Sequence, residues 1–308
     1  MNATEGFSPL LQRIMRAPSP FYRQRLVAAG CGASSLEPDV LTRLPLTRRE
    51  ELLRDQVEHL PHGTRRCADA APLVRAGITG TGAQLLVLTW SAADLARERK
   101  AGARLLGRLG VRPSMAVANT LRGALVTPGA LLLGDVVEEI GALDVPLGAI
   151  ENDAAARQAW ELVDRVRPAV LIGEPGTVTR LFATAPSTGR PWWQGIIWLH
   201  TGNEVGERPV VPGAAGFTGW QRTWLAVPEA TSFVAYACEA GRMHVDEGVI
   251  AEVVDAAGVA ATPGSDGMLA LTPLGVDTPV LRYASGLRVR AATTPCACGA
   301  ASMGMELR

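Results

Sequence analysis

Between Leu73 and His200, short apolar runs alternate with longer helical segments, and this alternation limits the chain to few folds. Leu85–Leu88 reads as a buried strand, after which Ser91 caps a helix through Leu109 that carries Leu95, Leu105, Leu106 and Leu109. Met115–Asn119 is strand-like, Gly129–Ile140 helical and Leu143–Pro146 short and extended. Asp153–Arg167 predicts a helix stopped by Pro168, followed by a strand at Ala169–Ile172, a helix at Thr177–Ala185 and a buried strand at Ile196–His200. Strands and helices alternating at these lengths imply an α/β fold, with a largely parallel sheet covered by helices on both faces.

The flanking regions have a different texture. The first 75 residues are polar and helical, punctuated by Pro18, Pro20, Pro38, Pro45 and Pro61. Thr47, followed by Glu50 and then Leu52 and Leu53, has the pattern of a capping box that starts a short helix. Beyond about Phe217 strands dominate: Phe233–Ala237, Val249–Val254, Met268–Thr272, Val280–Tyr283 and Leu287–Ala291, separated by Gly and Pro turns. The expected organisation is a helical segment (1–75) packed on an α/β core (76–216), then a smaller antiparallel β-rich lobe (217–299) and an unstructured tail (300–308).

Composition narrows the function. The chain has 308 residues, 47% of them apolar, which suffices for a sizeable core, and 30 acidic residues balance 30 basic ones. Zero net charge argues against nucleic acid or an anionic membrane as partner. No apolar run reaches the roughly 18 residues of a membrane span, and no signal-peptide pattern opens the chain, so the cytoplasm is the expected compartment. Five cysteines, an odd number, disfavour a disulfide framework. Of the basic residues 29 are arginine and one is Lys100, so chemistry that needs an amine has a single candidate, on a helix face where a solvated role fits well.

Gly77-Ile-Thr-Gly-Thr-Gly-Ala-Gln84 has three glycines and two threonines and reads either as a plain turn or as a loop whose amides face an anion; it lacks the Gly-Lys-Ser/Thr ending of a Walker loop. The order of several segments resembles the N-terminal domain of the phenylacetate-CoA ligase branch of adenylate-forming enzymes. Pro20-Phe-Tyr-Arg-Gln-Arg25 and the segment from Leu44 to Leu52 are similar to its opening segments. Ile78–Leu85, containing Thr79, Gly80, Thr81 and Gln84, lies where the family has its phosphate loop. Gly129–Gly134 through Pro146–Gly148 matches the next helix and strand. Gly202, Asn203 and Glu204 stand at the adenine-side segment, Leu225–Glu229 at the Tyr-Gly-x-Thr/Ser-Glu segment and Arg282–Arg290 at the Arg-Tyr-Arg-Thr-Gly-Asp-Leu-x-Arg segment.

The resemblance implies ATP, magnesium and a carboxylic acid as reactants, an acyl-adenylate, and transfer to a thiol such as coenzyme A. Against that pattern, Ala83-Gln84 replaces the loop's Gly-Lys, Leu287 replaces the ribose-binding aspartate, Leu225 the adenine-side aromatic and Pro228 a hydroxyl. The mobile C-terminal subdomain with its catalytic lysine is expected to be absent. Glu229 matches the magnesium-binding glutamate and Arg282 and Arg290 are retained, although a solvated turn residue and surface or interlobe ion pairs describe these three equally simply. ATP and magnesium are therefore doubtful cofactors.

Cys238, His244, Cys296 and Cys298 supply three thiolates and one imidazole, the complement of a closed structural Zn²⁺ site, with Gly299 permitting the positive φ of a tight turn. Similar elements occur in some family members. The alternative is unrelated cysteines and a surface histidine. Trp192, Trp193, Trp198, Trp220 and Trp224 either wall an acid pocket or pack as core, and His200 is either a general base or a structural histidine. Three function classes follow: a repurposed enzyme acting on a small carboxylic, aryl or acyl substrate, a non-catalytic binding protein that pairs with a second subunit or a second copy, and a ligase completed by a separate chain.

Overall fold

The computed structural model describes residues 3–16, 19–30, 40–123, 127–185, 192–201, 217 and 219–308. Helices α1 (Ala3–Arg16), α2 (Pro20–Ala28), α3 (Val40–Arg43) and α4 (Arg49–Glu58) precede a hairpin, β1 (Leu73–Thr79) and β2 (Leu86–Ser91). Then follow α5 (Ala92–Arg108), β3 (Ala116–Asn119), α6 (Ala130–Ile140), β4 (Leu143–Pro146), α7 (Asp153–Val166), β5 (Val170–Gly173), α8 (Pro175–Ala183) and β6 (Gly195–Thr201). The remainder is strands: β7 (Trp220–Val227), β8 (Thr231–Ala237), β9 (Met243–Val245), β10 (Val249–Val254), β11 (Asp266–Pro273), β12 (Tyr283–Ala291) and β13 (Gly304–Leu307).

Eleven strands form one sheet in the order β10-β11-β12-β13-β9-β8-β7-β6-β5-β3-β4. From β4 to β7 all neighbours are parallel, and from β7 to β10 all are antiparallel. The β-rich segment thus continues the parallel sheet through β7, which the sequence marks by its tryptophans and the Leu225–Glu229 segment but not as a strand. The hairpin β1–β2 stays outside this sheet as an antiparallel pair. Six residues separate its strands, too few for the crossover that parallel strands require, so the Leu85–Leu88 run does not belong to the parallel set.

Other local expectations change for physical reasons. The first cap of α4 is Arg48, one residue later than expected, with Glu51 Oε2 accepting from the Arg48 amide at 2.7 Å. Thr47 is instead drawn to β12: its hydroxyl donates to Leu281 O at 2.7 Å and its backbone bridges Tyr283. Val280–Arg282 forms no strand, because Arg282 turns to φ 49° and β12 begins only at Tyr283. The tail contributes β13, which fills the place between β9 and β12.

Amphipathic helices cover the parallel half on both sides. The Ser91 cap of α5 is observed, with Ser91 Oγ accepting from the Asp94 amide and Asp94 Oδ2 from the Ser91 amide, both at 3.1 Å. Helices α5 and α6 bury Leu105, Leu106, Val136 and Val137 on one face, while α7 and α8 bury Trp160, Val163 and Leu181 on the other. Gly102 lets α5 approach closely, since a Cβ there would stand 2.6 Å from both Phe233 and Val136. The first helices pack against Leu274 and Leu281. Arg282 ties them down, donating to Thr42 O and Leu44 O as well as to Glu252 and Gly258 O. Among the described residues no helix is long and apolar enough to cross a membrane.

Candidate functional site

The carboxyl ends of β5, β6 and β7 open into a cleft of about 570 Å³, the customary ligand position in an open α/β sheet. Glu174, Thr201 and Val227–Glu229 form its floor, the tip of the β1–β2 hairpin covers it, and Arg49, Arg122, Tyr283 and Ser285 complete the walls. Burial pushes the Tyr283 hydroxyl up to about 12, so it remains a neutral donor at physiological pH.

Glu229 lies in the tight turn joining β7 to β8, yet its side chain is only 10% exposed. Arg49 explains this. The Arg49 Nη1 is ion-paired with Glu229 Oε1, while Nη2 donates to Thr79 O at 3.0 Å and Gln84 O at 2.6 Å. The Thr79 hydroxyl approaches the same carboxylate oxygen at 3.5 Å. One guanidinium therefore fastens both arms of the hairpin tip to the turn after β7. Gly80, at φ 82°, makes this possible, because a Cβ there would collide with Gln84 O and Arg49 Nη2. Sequence reasoning missed Arg49. Its signal was a cation in the first turn of a helix, where the macrodipole disfavours positive charge unless a partner compensates.

Of the residues expected at a nucleotide site, Thr79, Gly80, Thr81, Gln84 and Glu229 come together in the cleft. Gly202, Asn203 and Glu204 lie outside the described residues. Leu225 and Leu287 do not line the cleft; both are buried in an apolar cluster with Val234 and Val289. Arg290 is elsewhere too, paired with Asp266 at 2.7 Å. His200 is buried in β6 beside Thr201, which reaches the cleft while His200 does not. None of the described tryptophans lines the cleft: Trp224 stacks on Phe233 at 4.9 Å, Trp198 and Trp193 pack with α7 and α8, and Arg222 stacks on Trp220. The core reading of the tryptophans is the one observed.

A second centre lies in the antiparallel half. Cys238 follows β8, His244 is the middle residue of β9, and Cys296 and Cys298 lie in the β12–β13 connection. Their ligand atoms all lie within 4.8 Å of one another. Tetrahedral zinc with ordinary bond lengths sets its sulfurs about 3.8 Å apart and sulfur about 3.5 Å from nitrogen. The structure has Cys238 Sγ and Cys296 Sγ at 3.6 Å and Cys298 Sγ and His244 Nε2 at 3.3 Å. His244 Nδ1 faces Ser302 O at 3.4 Å, which directs Nε2 to the thiols. The Cys298 amide, with His244, holds the Cys296 thiol down to about 6. Gly299 has φ 74°. The four residues form a preorganised cluster able to bind a metal, and it joins the β8–β9 hairpin to the β12–β13 connection.

No protein-family profile and no curated protein matches the sequence. Solved structures do. A 2-hydroxyisobutyryl-CoA ligase in an open conformation with 2-HIB-AMP and CoA aligns over 99% of this chain and 67% of its own, with a TM-score of 0.85 and 20% identity. The fold is that of the adenylate-forming CoA ligases. A benzoate CoA ligase from Burkholderia xenovorans LB400 shows it more distantly, with a TM-score of 0.55 and 15% identity over 80% of this chain and 51% of its own. The amide bond synthetase McbA from Marinactinospora thermotolerans is similar at a TM-score of 0.52 and 14% identity, over 82% of this chain and 51% of its own. In CoA-ligase terms the chain spans about two thirds of the first of these proteins and about half of the other two.

Proposed function

We propose that this chain is a divergent relative of the phenylacetate-CoA ligases whose cleft binds or transforms a small carboxylic, aryl or acyl compound without ATP-dependent adenylation. The Arg49–Glu229 pair carries the reading. A carboxylate already neutralised by a guanidinium is a poor magnesium ligand, and the hairpin tip spends the carbonyls of Thr79 and Gln84 on the same group. Leu287 stands where the family has its ribose-binding aspartate and Leu225 where it has the adenine-side aromatic, and as core residues neither offers that contact. Both arginines of the cleft are paired, Arg49 with Glu229 and Arg122 with Glu174 at 3.5 Å, so what it offers a ligand is hydrogen-bonding: the exposed Arg122 guanidinium, the hydroxyls of Thr79, Thr81 and Thr201, and the Tyr283 phenol. That set suits a carboxylate with an uncharged body.

The cysteine–histidine cluster is proposed to hold one structural zinc. Its three thiols and an imidazole match the donor preference of zinc, and four protein ligands leave no open position for catalysis.

The deciding experiment pairs a binding and a turnover measurement on the purified chain. Aryl and short acyl acids are expected to raise the melting temperature while ATP with magnesium does not, and no acid of the panel should release pyrophosphate from ATP. Acid-dependent pyrophosphate release would restore the ligase reading.

A further inference from the structure

Beside the cleft, sharing Pro228 and Glu229 with it as wall residues, lies a second and smaller pocket between α5, β2 and the segment 276–278, with about 40 Å³ of room for a water-sized occupant. Arg65 lines it and is only 5% exposed. Among the described residues it donates no hydrogen bond and enters no ion pair. Each carboxylate on the pocket wall already has its own donors. Asp94 accepts from the Ser91 amide, the Asp277 amide and Arg97; Glu98 accepts from the Thr231 hydroxyl and the Ser232 amide; Glu229 is held by Arg49. Asp55, whose charge Arg65 senses at longer range, is bonded to the Thr64 amide and hydroxyl. The hydroxyl of Thr278, on the same wall, also has no partner.

A buried guanidinium without an acceptor is strongly unfavourable unless something neutralises it. Arg97 lines the same pocket but faces Asp94 at 3.0 Å and Glu98 at 3.6 Å, and Arg49 holds Glu229, so Arg65 is the guanidinium of the pocket that no carboxylate pairs. The available room fits an anion of three or four heavy atoms. A planar carboxylate matches the guanidinium fork with two parallel hydrogen bonds, and the Thr278 hydroxyl adds a third donor.

We infer that this pocket is a binding site for a small monocarboxylate of formate or acetate size, held by Arg65 and Thr278. The site is separate from the cleft and stands whether or not the cleft binds an acid.

The test is the melting temperature of the full chain titrated with sodium formate at constant ionic strength, with gluconate, too large for the pocket, as the balancing anion. A saturable rise of about 2–5 °C is expected. It should vanish in Arg65→Gln, weaken in Thr278→Val and persist in Arg122→Gln, which alters the cleft and not this pocket. Should Arg65→Gln fail to fold, line broadening of ¹³C-formate by the wild type, reversed by acetate and reduced in Thr278→Val, reads the same site. A wild type indifferent to formate in both measurements overturns the proposal. So does a response lost in Arg122→Gln but kept in Thr278→Val, and so does restoration of Arg65→Gln stability by Glu98→Gln, which would assign Arg65 to Glu98 across water.

Discussion

The guanidinium of Arg49 and the carboxylate of Glu229, 180 residues apart in the chain, meet at the lip of the cleft and close the hairpin tip over it. The contact depends on Gly80, whose backbone conformation and missing Cβ leave room for the guanidinium. Two distant segments thereby share one lock.

Opening that lock should have a local signature. Arg49→Gln leaves Glu229 half-enclosed and unpaired, at an expected cost of roughly 1–3 kcal/mol in urea unfolding. Amide exchange over residues 80–85 should quicken in the same variant. Gly80→Ala is expected to reproduce both effects. Unchanged exchange in the two variants would show that the hairpin is held by other contacts.

Restoring the acid of the family pattern at position 287 should fail. Leu287 is 4% exposed within an apolar cluster, so Leu287→Asp buries an unpaired charge and is expected to cost several kcal/mol without conferring an ATP-dependent rise in melting temperature. An ATP response in this variant would place the residue in the cleft after all.

Metal content gives a stoichiometric check. Elemental analysis of freshly purified protein is expected to find one zinc per chain, and Cys296→Ser or His244→Ala should lose it. Because the four ligands join the β8–β9 hairpin to the β12–β13 connection, treatment with a chelator is expected to lower the melting temperature by well over 5 °C. Metal-free protein of undiminished stability would remove the structural role.

Two buried carboxyls should respond to pH with opposite signs. Burial raises Glu98 above its ordinary 4.5, so the folded chain retains that proton longer than the unfolded chain. Its contribution is most favourable below the ordinary range and declines as pH rises through it, so Glu98→Gln should gain on wild type between about pH 4 and 7. For Asp277, burial pushes upward, but hydrogen bonds from Ser91 and Arg13 outweigh it and hold the carboxyl below its ordinary 3.8. The stability it provides is present above that value and lost as pH falls through the lower folded one. Asp277→Asn should therefore be destabilised near neutrality and approach wild type in acid, as followed by urea unfolding across pH.

The residues that spoke clearly in the sequence were those whose local chemistry has one use. Ser91 marked a helix start within one residue, and Gly299 marked a left-handed turn. The donor types at 238, 244, 296 and 298 suggested a metal before their atoms were known to converge. Trp220–Val227 did not read as a strand, because its residues from Thr223 onward are buried on both faces and the run carries no alternation. Thr47 misled for a related reason, its hydroxyl being claimed by Leu281 from 234 positions away.

By itself, then, the sequence determined what neighbouring residues decide: the helices, most strands, the alternation that requires a covered parallel sheet and the kinds of ligand atom available. Only the tertiary structure decided that the antiparallel strands extend the same sheet, that Leu225 and Leu287 are core, that Glu229 is neutralised by Arg49 and that Arg65 is buried without a partner. Burial and charge pairing are properties of the space between segments, and the separation of Arg49 from Glu229 along the chain holds no record of it.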